Sequence, residues 1–307
     1  VLETAVIVFR FVQYVGAMIL FGSSLFFLFT IPQSERIVGA SWMRPLLASG
    51  AAAVLAATLL GLVAQTGVLA GSLAEAINPA TFQVALTEMN FGRAGAIRII
   101  VSGLTLTAIL ILRPGRPLGF ISAVGGFVVC VSMAWMGHGA ATKGAAGLVH
   151  LVADIFHLLA AAGWIGALVA FSLMLVQRHR TVAAVGTLDR ALQRFAGIGA
   201  GFVAVILATG LINSYFLVGL EHLQGLWTTR YGELLSLKII LFIAMLAFAA
   251  RNRLQLAPAL EHALNSGEPS RPALASLRRS IMAETVVAAF VVGLVAWLGT
   301  LAPVSDL

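Results

Sequence analysis

The chain has 307 residues, of which 60% are hydrophobic and only 10% charged, with a mean hydropathy of +1.00 and a formal charge of +7. A soluble domain carries roughly 25% charged residues, so a water-facing surface cannot be assembled from this sequence. The basic residues sit in short clusters between apolar runs, which assigns the positive charge to loops at a membrane surface; lipid is the expected partner, and nucleic acid is not.

A membrane-spanning helix needs about 20 largely apolar residues. Such runs fall at 5–31, 46–70, 95–112, 118–136, 147–176, 196–218, 234–250 and 281–301. They predict an all-α integral membrane protein of about eight transmembrane helices. The helix breakers Pro32, Pro45, Pro114, Pro117 and Pro303 lie at the edges of these runs, where they do least harm. Residues 177–195 read as an amphipathic loop on the membrane surface, and 251–280 as the most water-soluble stretch. The lone cysteine, Cys130, lies inside an apolar run and suggests no disulfide.

Loop charge sets the orientation. Arginine recurs in the loops after the first, third, fifth and seventh runs, whereas the other loops hold only Arg93, Lys143 and Arg230. The arginine-rich side is expected to be cytoplasmic. An even number of spans then puts both termini outside, on the non-cytoplasmic side.

Two parts of the chain resemble each other. Gln13 through Gly22 aligns with His157 through Gly166, and Gly61 with Gly210. Phe91-Gly92 followed by Arg98 aligns with Tyr231-Gly232 followed by Lys238. These matches suggest a single membrane domain, 1–307, built from two parallel four-helix half-repeats, 1–140 and 147–307, related by an axis along the membrane normal. In that alignment Arg10 and Gln13 stand where the second half has Asp154 and His157.

Ionisable groups inside a bilayer cost roughly 2.5–3.5 kcal/mol each on insertion scales, so each needs a reason. Arg10, Arg98, Asp154, His157 and Lys238 fall toward the outer ends of their runs, predicting a polar outer vestibule. Arg98 and Lys238 are expected to pair with Asp154, to meet outer-leaflet phosphates, or to snorkel to the interface. Glu284 is placed near the inner end of the last run, within reach of cytoplasmic water.

The densest polar cluster is His138, His150, Asp154 and His157. Offsets of four and seven put His150, Asp154 and His157 on one helix face. His150 and His157 are separated by roughly 10 Å along the axis, and a metal–imidazole bond is about 2 Å. One ion can therefore be shared by His150 with Asp154 or by Asp154 with His157, with other ligands coming from elsewhere. His138 is the candidate for that role, and Met133 and Met136 before it offer thioethers suited to copper(I). Met18, Met174, Met245 and Met282 read as core filler. His179 and His262 fall among cytoplasmic charges, and His222 in an outer loop. A phosphate-cradling glycine loop, a paired CxxC and an HExxH are all missing, so no enzymatic activity is expected.

On these residues the sequence resembles the CopD (also PcoD) family of bacterial inner-membrane copper proteins. The resemblance is carried by the His-x-x-x-Asp-x-x-His-Leu-Leu-Ala-Ala-Ala-Gly-Trp-Ile-Gly-Ala-Leu run from His150 to Leu168. It is carried also by Tyr231-Gly232-x-x-Leu-x-x-x-Lys238, continuing to Arg251-Asn252-Arg253 and Pro258. It implies copper, as Cu(I) or Cu(II), moved from the periplasm across the inner membrane. It also implies a small separate periplasmic CopC-type partner, since no room for a fused one is expected at either end. Two other readings remain open from the residues: a haem b electron carrier or quinone-linked oxidoreductase, and a copper sensor or assembly scaffold that moves nothing.

Overall fold

The computed structural model describes residues 1–31, 42–136, 144–176 and 182–306. Eight helices among them are long and apolar enough to cross a membrane. They are α1 (Leu2–Phe29), α2 (Met43–Ala70), α3 (Asn90–Ile111), α4 (Arg116–Ala134), α5 (Gly144–Val176), α6 (Val182–Leu217), α7 (Arg230–Arg251) and α8 (Arg271–Leu298). No strand occurs among the described residues. A helix satisfies its own backbone polar groups, which lipid cannot do, so long apolar runs resolve into helices. The apolar side chains left exposed, such as Leu104, Leu211, Ile240 and Phe290, are the lipid-facing surface.

The largest departures from the hydropathy reading are helices that run past the apolar runs on the arginine-rich side. The expected surface loop at 177–195 is instead the first turns of α6 from Val182 onward. The expected water-soluble stretch 251–280 is also largely helical. A π-turn at Asn252–Leu256 leads into a short helix, Ala257–Asn265, and α8 begins already at Arg271. Charged helical residues extend a span beyond the hydrocarbon without ending it, because hydropathy reports the solvent and not the backbone conformation. A second π-turn, Ile19–Ser23, interrupts α1.

α1 and α5 form the centre. They cross where backbone meets backbone: a Cβ on Gly22 would run into the Ala162 carbonyl and Gly166, and one on Gly166 into the Met18 carbonyl and Gly22. Ser23 Oγ donates to the Gly166 carbonyl across the crossing at 2.8 Å. Small residues let membrane helices approach this closely, and packing and interhelical hydrogen bonds then hold them. α2 packs on α1, α6 on α5, α3 on both α2 and α4, and α8 on both α5 and α7. α6 and α7 do not pack along one another. A cavity of about 720 Å³ lies in this region, reaching from Trp164 and Val203 to Gln193, Arg253 and Glu261.

Candidate functional site

His150, Asp154 and His157 of α5 all face α6. His150 is buried, and its ring stacks on Phe216 with centroids 4.7 Å apart. Asp154 Oδ1 accepts from Asn213 Nδ2 at 3.4 Å. His157 Nδ1 lies 3.0 Å from Thr209 Oγ1. Each step down α5 thus meets a step down α6, as two packed helices with matched rise require. Lys238 of α7 completes the group, acting electrostatically on both Asp154 and His157.

The Thr209 contact fixes the His157 tautomer. A threonine hydroxyl has one proton, and Thr209 Oγ1 donates it to the Val205 carbonyl at 2.6 Å. With the hydroxyl proton so placed, Thr209 accepts from His157 and Nδ1 carries the ring proton. Nε2 is left with its lone pair, the form of imidazole that binds a metal.

A second polar cluster sits on α1, α3 and α4. Gln13 Nε2 donates to the Ala57 carbonyl of α2 at 2.9 Å, and Gln13 Oε1 accepts from Arg98. Arg98 also donates to the Met136 sulfur. Arg10, Tyr14 and Met133 line the same space. Arg98 is 1% exposed, so it neither snorkels nor pairs with Asp154; it is fixed by Gln13 and Met136. The backbone around the two clusters is alike. Gly61 lies under Gln13 as Gly210 lies under His157, and Gly92 abuts Ala85 as Gly232 abuts Gly225.

The structure therefore separates the candidate ligands. His150, Asp154 and His157 share the α5–α6 face, while Met133 and Met136 belong to the arginine-bearing cluster. His138, like His179, lies outside the described residues. Among the described residues no three of His, Cys, Asp and Glu are gathered as a metal site. Sequence reading missed Thr209, Asn213 and Phe216, which look like ordinary residues of an apolar helix. A signal was present in their spacing, since 209, 213 and 216 repeat the offsets of a helix face.

Toward the opposite end, Glu284 is buried at 1% exposed and does not reach water. One carboxylate oxygen, Oε2, accepts from Asn252 Nδ2 at 2.8 Å. Both residues line the 720 Å³ cavity, with Trp164 beside them. Among the other methionines, Met18 and Met245 are core, whereas Met282 is 43% exposed and faces outward.

Comparison with known proteins accounts for nearly the whole chain. Residues 1–148 match the family model described as copper resistance protein D-like, N-terminal domain, and residues 189–298 match that of copper resistance protein D. Copper resistance protein D of Pseudomonas syringae pv. tomato is 39% identical over 300 residues, covering 96% of this chain and 95% of that protein. The inner membrane protein YebZ of Escherichia coli is 26% identical over 304 residues, covering 97% and 98%. The copper transport protein CutJ of Bacillus subtilis is 29% identical over 256 residues, covering 78% of this chain and 44% of that protein. No solved structure matches. Full-length similarity and an eight-helix bundle with a polar α5 give one consistent assignment: the chain is a multi-pass membrane protein that belongs to the copper resistance protein D family.

Proposed function

We propose that this protein moves copper across the bacterial inner membrane, from periplasm to cytoplasm, and that the ion enters at the α5–α6 face. The observation that carries the reading is the held tautomer of His157, with Nδ1–H against Thr209 and Nε2 open, one helical turn from the Asp154 carboxylate. Asp154 and His157 form the core of the entry site, and His150 extends it along α5; His138, outside the described residues, is proposed as a further ligand. Lys238 supplies the charge opposite Asp154; an arriving copper ion takes over that role. Met133 and Met136 lie beside Arg10 and Arg98, where a cation is repelled, and are left out of the proposed copper path. The 720 Å³ cavity near Glu284 gives an exit toward the cytoplasm. A small periplasmic copper-binding protein of the CopC type is the proposed donor.

Copper uptake into proteoliposomes tests this. Wild-type protein should accumulate copper, His157→Ala should lose uptake, and Asp154→Asn should fold normally but bind copper about 10–100-fold more weakly. Uptake by both variants at the wild-type rate would rule out the α5 site. Copper bound tightly by wild-type protein but never carried inside would reduce the protein to a sensor or scaffold.

A further inference from the structure

Among the described residues, no acidic side chain offsets the positive charge of the second polar cluster. Arg10 and Arg98 are 8% and 1% exposed and line the same two small cavities. Among the described residues neither meets a carboxylate; the ion pair of Arg230 with Glu233 lies at the surface. The two small cavities that both arginines line contain no acidic side chain. Two like charges at this depth repel each other and have lost their hydration. A negative charge has to enter for the cluster to be stable as it stands.

The hydrogen-bond inventory points to the same place. Arg98 has neutral acceptors in Gln13 and Met136. Arg10 does not: its Nε is buried without a partner, and its guanidinium lies against Gly299 at the end of α8. Thr58 of α2 is 1% exposed, and its hydroxyl is likewise unpartnered. Arg10, Thr58 and Arg98 line one cavity, together with Gln13, Gln65 and Met136. Its volume is about 10 Å³, room for a single water-sized particle.

We propose that this cavity is a binding site for one small monatomic anion of chloride size, held by the Arg10 and Arg98 guanidiniums and the Thr58 hydroxyl. Size excludes the alternatives. Phosphate, free or on a lipid, places four oxygens around a central atom and exceeds the space. Water fits but leaves both charges uncompensated. A halide satisfies the unpartnered donors and supplies the missing charge at once.

Bromide, which replaces chloride and scatters anomalously, is the probe. Crystals of the full chain grown in bromide should show an anomalous peak between Arg10, Thr58 and Arg98. Thermal stability should rise with chloride or bromide but not with gluconate or phosphate, because an ion that binds only the folded state stabilises it by mass action. Thr58→Val keeps the shape and should weaken the halide response about tenfold. Arg10→Met should abolish it. No bromide peak, a halide response unchanged in Thr58→Val, or equal stabilisation by phosphate would each overturn the proposal.

Discussion

Asp154 precedes His157 by three residues on α5, and Arg10 precedes Gln13 by three on α1. Around the first pair, Lys238 balances the acid. Around the second, Arg98 adds a second positive charge. The backbone frames are alike, down to the glycine beneath each central side chain, Gly61 for Gln13 and Gly210 for His157. Exchanging an acid for a base on the same frame reverses the ion that the site favours. On the proposals above, the α5 cluster takes a cation and the α1 cluster an anion. We further propose that the two frames are the half-repeats 1–140 and 147–307 of one duplicated unit.

Both clusters hang on the α1–α5 crossing, so the largest expected effect comes from breaking it. In Gly166→Leu the new side chain would meet the backbone of Met18, Gly22 and Ser23. Backbone cannot swing aside as a side chain can, and overpacking of this kind costs about 3 kcal/mol or more. The variant should fail to give folded protein by size exclusion and thermal melting. Gly201→Leu, on the open side of α6 with nothing near its Cβ position, should behave as wild type. A well-folded Gly166→Leu would mean that the helices are not held at this point.

The next effect separates the clusters by function. Gln13→Ala removes the acceptor for Arg98 and the donor to Ala57, leaving a buried guanidinium less well satisfied. We expect a stability loss of about 1–3 kcal/mol with copper affinity unchanged, measured by denaturation and by copper titration. His157→Ala should do the reverse, keeping most of the stability and losing copper. If Gln13→Ala weakened copper as much as His157→Ala, the metal would belong with Met133 and Met136 instead.

Some of this was legible in the residues alone. The eight spans stand out because lipid imposes length and apolarity on every helix that crosses it. The shared face of His150, Asp154 and His157 follows from helical spacing. Helix ends were misread at Val182 and beyond Arg251 because polar helical turns and loops look alike to hydropathy. Partners were illegible for a different reason. That Asp154 meets Asn213, or that Arg98 meets Gln13 and not Asp154, depends on the rotation and register of helices distant in sequence. No local pattern encodes that. Likewise, the π-turn at Ile19–Ser23 lies in an ordinary apolar run.

Thr209 gives the smallest predicted effect and the sharpest one. Its proton is already given to the Val205 carbonyl, so its oxygen is the acceptor that holds Nδ1–H of His157 in place. Thr209→Val keeps the branched shape and removes only that acceptor. The ring then loses the partner that selects its tautomer, and Nε2 is no longer kept free of a proton. Copper affinity should fall about tenfold, the low end of what loss of an orienting partner costs, while stability changes by about 1 kcal/mol. Thr209→Ser should restore the affinity, because it returns the hydroxyl. A purely structural role predicts the opposite pattern, with the melting temperature lowered in Thr209→Val and the copper dissociation constant untouched. Nitrogen NMR of the labelled imidazole supplies an independent reading. The proton should sit on Nδ1 in the wild type and in Thr209→Ser, and lose that preference in Thr209→Val. A wild-type copper affinity in Thr209→Val, with the tautomer demonstrably released, would remove His157 from the metal path.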